Sequence, residues 1–224
     1  MDAVKFIRFP KEELSNDETI YKTILEFTLI LLLCFGLSVI SLIITEFLRN
    51  LEFIPSYTRE WSNATKQVRD DIIYAAVMFP ILEEIAFRLY LKRTDLNVFV
   101  SVLFMVYMIS SAFIFNTSHF SLENYGLPRI LISISVALIA LYIYKKKLFD
   151  LKFKHLYYLS ALLFGLVHIY NYDYTNPEVL IFVVAICMPQ IISGLFLGYV
   201  RIKYGIFGAI ILHGLLNGLP SFIV

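Results

Sequence analysis

Glu83, Glu84 and Arg88 stand inside the otherwise greasy run Phe79-Pro-Ile-Leu-Glu-Glu-Ile-Ala-Phe-Arg-Leu-Tyr90. A charged group in hydrocarbon costs about 2.5–3.5 kcal/mol even on a lenient insertion scale, so such residues point to a functional site by default. The other polar groups well inside apolar segments are His168, His213, Gln190 and Asn217. On a helix, Glu84 and Arg88 share a face in the favourable acid-first order. Glu83 lies about 100° round from Glu84 and about 140° from Arg88, so it needs another partner or a proton. Counted at 1.5 Å per residue, Glu83 sits ~12 Å, His213 ~13 Å and His168 ~20 Å from the same membrane edge. A carboxylate and two imidazoles at one depth can take a proton from a reactant and return it. The bland reading of the trio is an ion network that fastens helices, and either histidine alone reads equally well as a satisfied bundle residue.

The elements that must position these groups are membrane helices. The chain has 224 residues, 59% hydrophobic and 17% charged, against roughly 45–50% and about 25% in soluble domains. Apolar stretches run from Phe27 to Thr45, Ile72 to Leu91, Leu96 to Leu122, Ile130 to Tyr144, His155 to Tyr172, Val179 to Val200 and Tyr204 to Val224. Most reach or approach the ~20 residues a spanning helix needs. The expected fold is therefore all-α, a polytopic transmembrane helix bundle of about seven spans. Residues 1–20 form a cytoplasmic or interfacial segment, with Val4, Phe6, Ile7 and Phe9 dipping into lipid, and residues 21–224 form the membrane domain. Gly194 and Gly198, and Gly214 and Gly218, are small residues four apart that let helices approach closely.

The net charge of +1 comes with no continuous basic stripe, which argues against nucleic acid. Cys34 and Cys187 fall within spans and read as buried, inert thiols. Basic residues alternate between loops, with Lys145, Lys146, Lys147, Lys152 and Lys154 the densest group. The positive-inside rule then gives a cytoplasmic N-terminus and an outer C-terminus. The loop Arg49 to Asp71 is the exception, being basic on the outer side. No internal repeat is evident, which disfavours an inverted-repeat transporter.

Glu-Glu-x-x-x-Arg at 83, 84 and 88, Phe-x-x-x-His at 164 and 168, and His-x-x-x-Asn at 213 and 217 occur in that order on separate apolar helices. Together with the Gln-containing, Gly-rich run Pro189-Gln190 to Gly198, they resemble the CAAX protease and bacteriocin-processing family of intramembrane proteases, also called the Abi family. The resemblance covers residues 71–224. It implies peptide-bond hydrolysis within the bilayer. Glu83 would act as general base on a water that His168 helps to hold. His213 and Asn217 would stabilise the oxyanion, and Glu84 and Arg88 would form a supporting ion pair.

The same family is often described as metalloproteases, and Glu83, His168 and His213 make the Glu-plus-two-His set that zinc accepts. The chain has no His-Glu-x-x-His and no Cys cluster, so the cofactor reading lies between none and a divalent metal such as zinc, leaning to a metal-free glutamate mechanism. The competing function is a non-enzymatic immunity or scaffold protein that uses the same cavity for binding. Eukaryotic relatives remove the last three residues after a prenylated cysteine, and bacterial ones are linked to peptide maturation and bacteriocin immunity. A composition rich in Ile, Phe, Tyr, Lys and Asn suggests an AT-rich genome. It tips the expected setting to a multi-pass protein of a bacterial cell membrane, acting on a peptide or membrane-protein substrate.

Overall fold

A computed structural model describes residues 2–14, 19–55, 72–123, 125–147, 151–172 and 177–219. Its regular structure is helical: α1 (Asp2–Arg8), α2 (Ile20–Asn50), α3 (Phe79–Arg88), α4 (Asp95–Ile109), α5 (Gly126–Lys145), α6 (Phe153–Val167), α7 (Pro177–Ile181), α8 (Val183–Ile186) and α9 (Met188–Gly218). Single π-helical turns precede α3 (Tyr74–Met78) and extend α4 (Ser110–Ile114). Among the described residues, Ile20–Asn50, Asp95–Ile114, Gly126–Lys145 and Met188–Gly218 are long and apolar enough to cross a membrane. The fold is the expected helical membrane bundle. α2 fully buries only Ile30, Cys34, Ser41 and Thr45; Phe27, Leu31 and Leu33 pack against the core, while most of its other apolar side chains, such as Leu32, Ile43 and Phe47, are exposed, as lipid-facing ones are.

The C-terminal elements differ from the expected boundaries. The stretch Val179 to Val200 is broken into α7, α8 and the start of α9. Pro189 sits in the first turn of α9, where its missing N–H costs nothing. No loop separates the last two expected spans. α9 is two helical halves joined directly at Gly205, whose φ of 84° and ψ of −176° are not helical. Only glycine occupies that backbone region at ease. Arg201 and Lys203, expected in a loop, therefore lie on a helix and are buried. The first segment also departs from expectation. Phe6 enters the protein core, its ring 5.4 Å from Tyr157 and 5.2 Å from Tyr199, while Val4 and Phe9 stay exposed. Most of the 49–71 loop, and residues 173–176, lie outside the described residues.

A polar seam ties α2 to the C-terminal helices. Cys34 Sγ donates to Ser193 Oγ at 3.6 Å, Ser38 Oγ to the Pro189 carbonyl at 3.3 Å, and Thr45 Oγ1 to that of Ala185 at 3.3 Å. Both cysteines are buried and unpaired. α6 packs on the first half of α9, where a Cβ on Gly194 would come within 3.0 Å of the Ala161 backbone. The small-residue spacing thus serves close approach, as expected.

Candidate active site

α3 carries both carboxylates, and its entry explains how it meets α9. In the π-helical turn the Phe79 N–H donates to the Tyr74 carbonyl, which takes from Ala75 its usual helical donor. The next amide belongs to Pro80 and has no hydrogen. The Ala75 carbonyl is left to a side chain, and Asn217 Nδ2 donates to it at 3.1 Å. One turn back on α9, a Cβ on Gly214 would lie 2.4 Å from the Ala76 carbonyl oxygen. Only glycine permits this approach. Localised π turns are frequent at functional sites because they free backbone groups in this way.

The other end of α3 is held by its neighbours. Ser101 Oγ donates to the carbonyls of Ile85 (2.9 Å) and Ala86 (2.6 Å), and Ser160 Oγ to that of Phe87. Arg201 Nε donates to the Arg88 carbonyl at 3.3 Å and its Nη2 to that of Leu89 at 3.4 Å. The orphan carbonyls of a helix C-terminus are thereby satisfied inside the bundle.

Between these ends the expected residues converge. His213 Nδ1 lies 2.9 Å from Glu84 Oε1, and its Nε2 lies 3.5 Å from Glu83 Oε2. Arg88 Nη1 stands 3.6 Å from Glu84 Oε1, the expected pair, as a charge contact too long for a hydrogen bond. Its guanidinium instead lies on the Phe164 ring, 3.8 Å from the centroid, where cation and ring quadrupole attract. The same ring meets His168 edge-on at 4.8 Å and His213 at 5.4 Å. Glu84 and Arg88 have no exposed surface, His213 is 3% exposed and Glu83 9%.

His168 is anchored on its own helix. Its Nδ1 lies 2.7 Å from the Phe164 carbonyl, one turn back on its own helix, so that nitrogen donates and Nε2 of the neutral ring is an acceptor. It stays within electrostatic reach of Glu83 and His213. Asn217 is exposed and spends one amide hydrogen on Ala75. Sequence reasoning missed the dual role of Glu84, which serves Arg88 and His213 together. It also missed Ser101, Ser160 and Arg201, whose partners are backbone atoms distant in sequence.

A zinc ion needs at least three protein donors around one point. No three His, Cys, Asp or Glu side chains among the described residues stand close enough together to hold a metal ion. Both imidazoles have Nδ1 engaged, and His213 Nε2 faces Glu83 itself across 3.5 Å. Each imidazole thus keeps Nε2 free, as ligating histidines do, but no third donor stands beside Glu83 and His213 among the described residues.

No curated protein and no solved structure matches the chain. Residues 146–219 match a family model described as Type II CAAX prenyl endopeptidase Rce1-like. The matched segment is about a third of the chain and carries His168, His213 and Asn217, while Glu83, Glu84 and Arg88 lie before it. Among the described residues the chain therefore combines four helices long and apolar enough to cross a membrane with a segment, residues 146–219, that is similar to the Rce1-like family.

Proposed function

We propose that the protein is an intramembrane endopeptidase that hydrolyses a peptide bond of a peptide or membrane-protein substrate by a glutamate mechanism. The observation that carries this reading is the buried His213 imidazole between Glu83 and Glu84, with Glu83 Oε2 lacking a hydrogen-bond donor among the described residues. A buried carboxylate oxygen without a donor is costly to leave bare. A water there would meet that need and stand ready for activation.

In the reaction, Glu83 takes a proton from this water as its oxygen attacks the scissile carbonyl carbon. His168 Nε2, an acceptor, helps to orient the water. The carbonyl oxygen becomes an oxyanion, to which His213 Nε2 and the second amide hydrogen of Asn217 donate. As the C–N bond breaks, Glu83 returns its proton to the leaving amine, leaving a carboxylic acid and an amine. Donation from Nε2 requires His213 to carry both ring protons, since Nδ1 already serves Glu84. The charges then balance, with two carboxylates against one guanidinium and one imidazolium.

The test is cleavage by purified protein, with Glu83→Gln as the comparison. Loss of cleavage in a normally accumulating Glu83→Gln variant supports the reading, and undiminished cleavage removes the general-base role. Stoichiometric zinc that left and returned together with activity would replace the glutamate mechanism by a metal-dependent one. A binding protein without hydrolysis is the second reading, favoured by the bond Asn217 already makes to Ala75. It requires ligand binding to survive with no product formed by the wild type.

A further inference from the structure

Three side chains just before the break in α9 converge on one carboxylate of α2. Tyr199 Oη donates to Glu26 Oε1, Lys203 Nζ to Glu26 Oε2, and Tyr204 Oη to Glu26 Oε2 at 2.8 Å. The Lys203 side chain is 4% exposed and that of Glu26 13%. Between them in sequence, Arg201 turns the other way and takes the carbonyls of Arg88 and Leu89 at the end of α3. Residues 199–204 therefore grip α2 on one side and the helix of the two carboxylates on the other.

Gly205 follows at once, and a Cβ there would touch nothing within 4 Å. The half-helix beyond it, which carries His213 and Asn217, is packed in the core by Ala209 and Leu212, but the glycine itself adds no side chain to fix the angle of the break. Contacts on either side must do so. On the far side these include Asn217 and Gly214 against the π-helical turn. On the near side they include the bonds to Glu26 and those of Arg201 to the end of α3. Buried charge pairs with hydroxyl partners are attested devices for fixing one arrangement among several.

We infer that Glu26 is a positioning residue: with Tyr199, Lys203 and Tyr204 it forms a latch that aims the second half of α9, and with it His213 and Asn217, at α3. The active-site part of this inference rests on the proposed function; the aiming of the helix does not. It brings α2, which lies outside the family match, into the working unit.

The test reads helix placement without activity. A Cβ on Gly218 would lie 3.3 Å from Ala76 Cβ, close to the separation a disulfide bridges. The full-length protein carrying Ala76→Cys and Gly218→Cys, in detergent, should form this disulfide on mild oxidation, scored by peptide mapping. Adding Glu26→Gln should slow its formation. Adding Lys203→Met, which keeps the stem and removes the charge, should do the same and serves if Glu26→Gln fails to accumulate. Glu26→Lys with Lys203→Glu should form it faster than Glu26→Lys alone. Disulfide formation at the parent rate in Glu26→Gln or Lys203→Met overturns the latch.

In a cleavage assay without the added cysteines, Glu26→Gln should lower kcat with KM unmoved. A change in KM with kcat intact overturns the positioning role. If the parent cleaves nothing but its disulfide still depends on Glu26, the protease reading falls and the latch stands.

Discussion

His213 bridges Glu83 and Glu84 through its two ring nitrogens, with Nδ1 2.9 Å from Glu84 Oε1 and Nε2 3.5 Å from Glu83 Oε2. Adjacent carboxylates point about 100° apart around a helix, yet a single imidazole reaches both. The two are consequently unequal. Glu84 holds Nδ1 and so fixes the orientation of the ring, as the buried carboxylate does in hydrolytic triads, and Glu83 faces the nitrogen that remains.

This inequality separates two substitutions. Glu83→Gln removes the proposed base and should abolish cleavage in protein that accumulates normally. Glu84→Gln keeps an acceptor for Nδ1 but loses the charge beside Arg88. It should reduce kcat without abolishing it and lower stability, read by thermal unfolding in detergent. Breaking one partner of a buried charge pair typically costs about 3–5 kcal/mol, so the stability loss should be plain. Equal activity of the two variants would refute the division.

Asn217→Ala should lower kcat by a factor of ~10² to 10³ with KM little changed, as expected for an oxyanion donor. It should also cost about 1 kcal/mol of stability, because the Ala75 carbonyl loses its donor. Asn217→Asp should be worse than Ala, since it places an acceptor where the intermediate's oxygen must sit. Single-turnover cleavage by Asn217→Ala at the wild-type rate would leave only the helix-bridging bond.

Gly214→Ala should force α9 from the π-helical turn, because its Cβ would lie 2.4 Å from the Ala76 oxygen. Overpacking of this kind costs about 1–3 kcal/mol. Reduced accumulation and weakened cleavage should come together. Gly36→Ala, with nothing within 4 Å of the added Cβ, serves as the control and should change neither.

His119 lies in the loop between α4 and α5, its ring 5.6 Å from Phe79. Burial, and secondarily the positive charge of Arg129, push its pKa down to about 4. Between pH 6.5 and 4 the unfolded chain binds a proton here that the folded protein refuses. Stability is therefore full above the ordinary histidine range and falls as pH drops toward 4. A steeper loss of Tm on acidification in wild type than in His119→Gln would show it, and identical pH profiles would contradict it.

The polar motifs at 83–88, 164–168 and 213–217 were legible because their logic is local. Helical periodicity alone places Glu84 and Arg88 on one face and Glu83 off it, and marks Gly214 and Gly218 as a surface for close approach. The apolar stretches announce membrane helices because hydrocarbon demands long runs without charge. Pro80 was visible too, although its effect on the Ala75 carbonyl appears only with the π-helical turn. What the tertiary structure decided is the pairing of groups far apart in the chain. Which nitrogen of His213 meets which carboxylate depends on the rotation of α9 about its axis where it crosses α3. The burial of Lys203 and Arg201, which read as loop charges, depends on the first half of α9 continuing past Val200 as far as Gly205. The fixing of Glu26 depends on α2 lying along that helix. Sequence spacing sets the azimuth of a side chain on its own helix, but the partner it finds is set by how two helices approach and turn toward each other, which depends on packing contacts along their whole length.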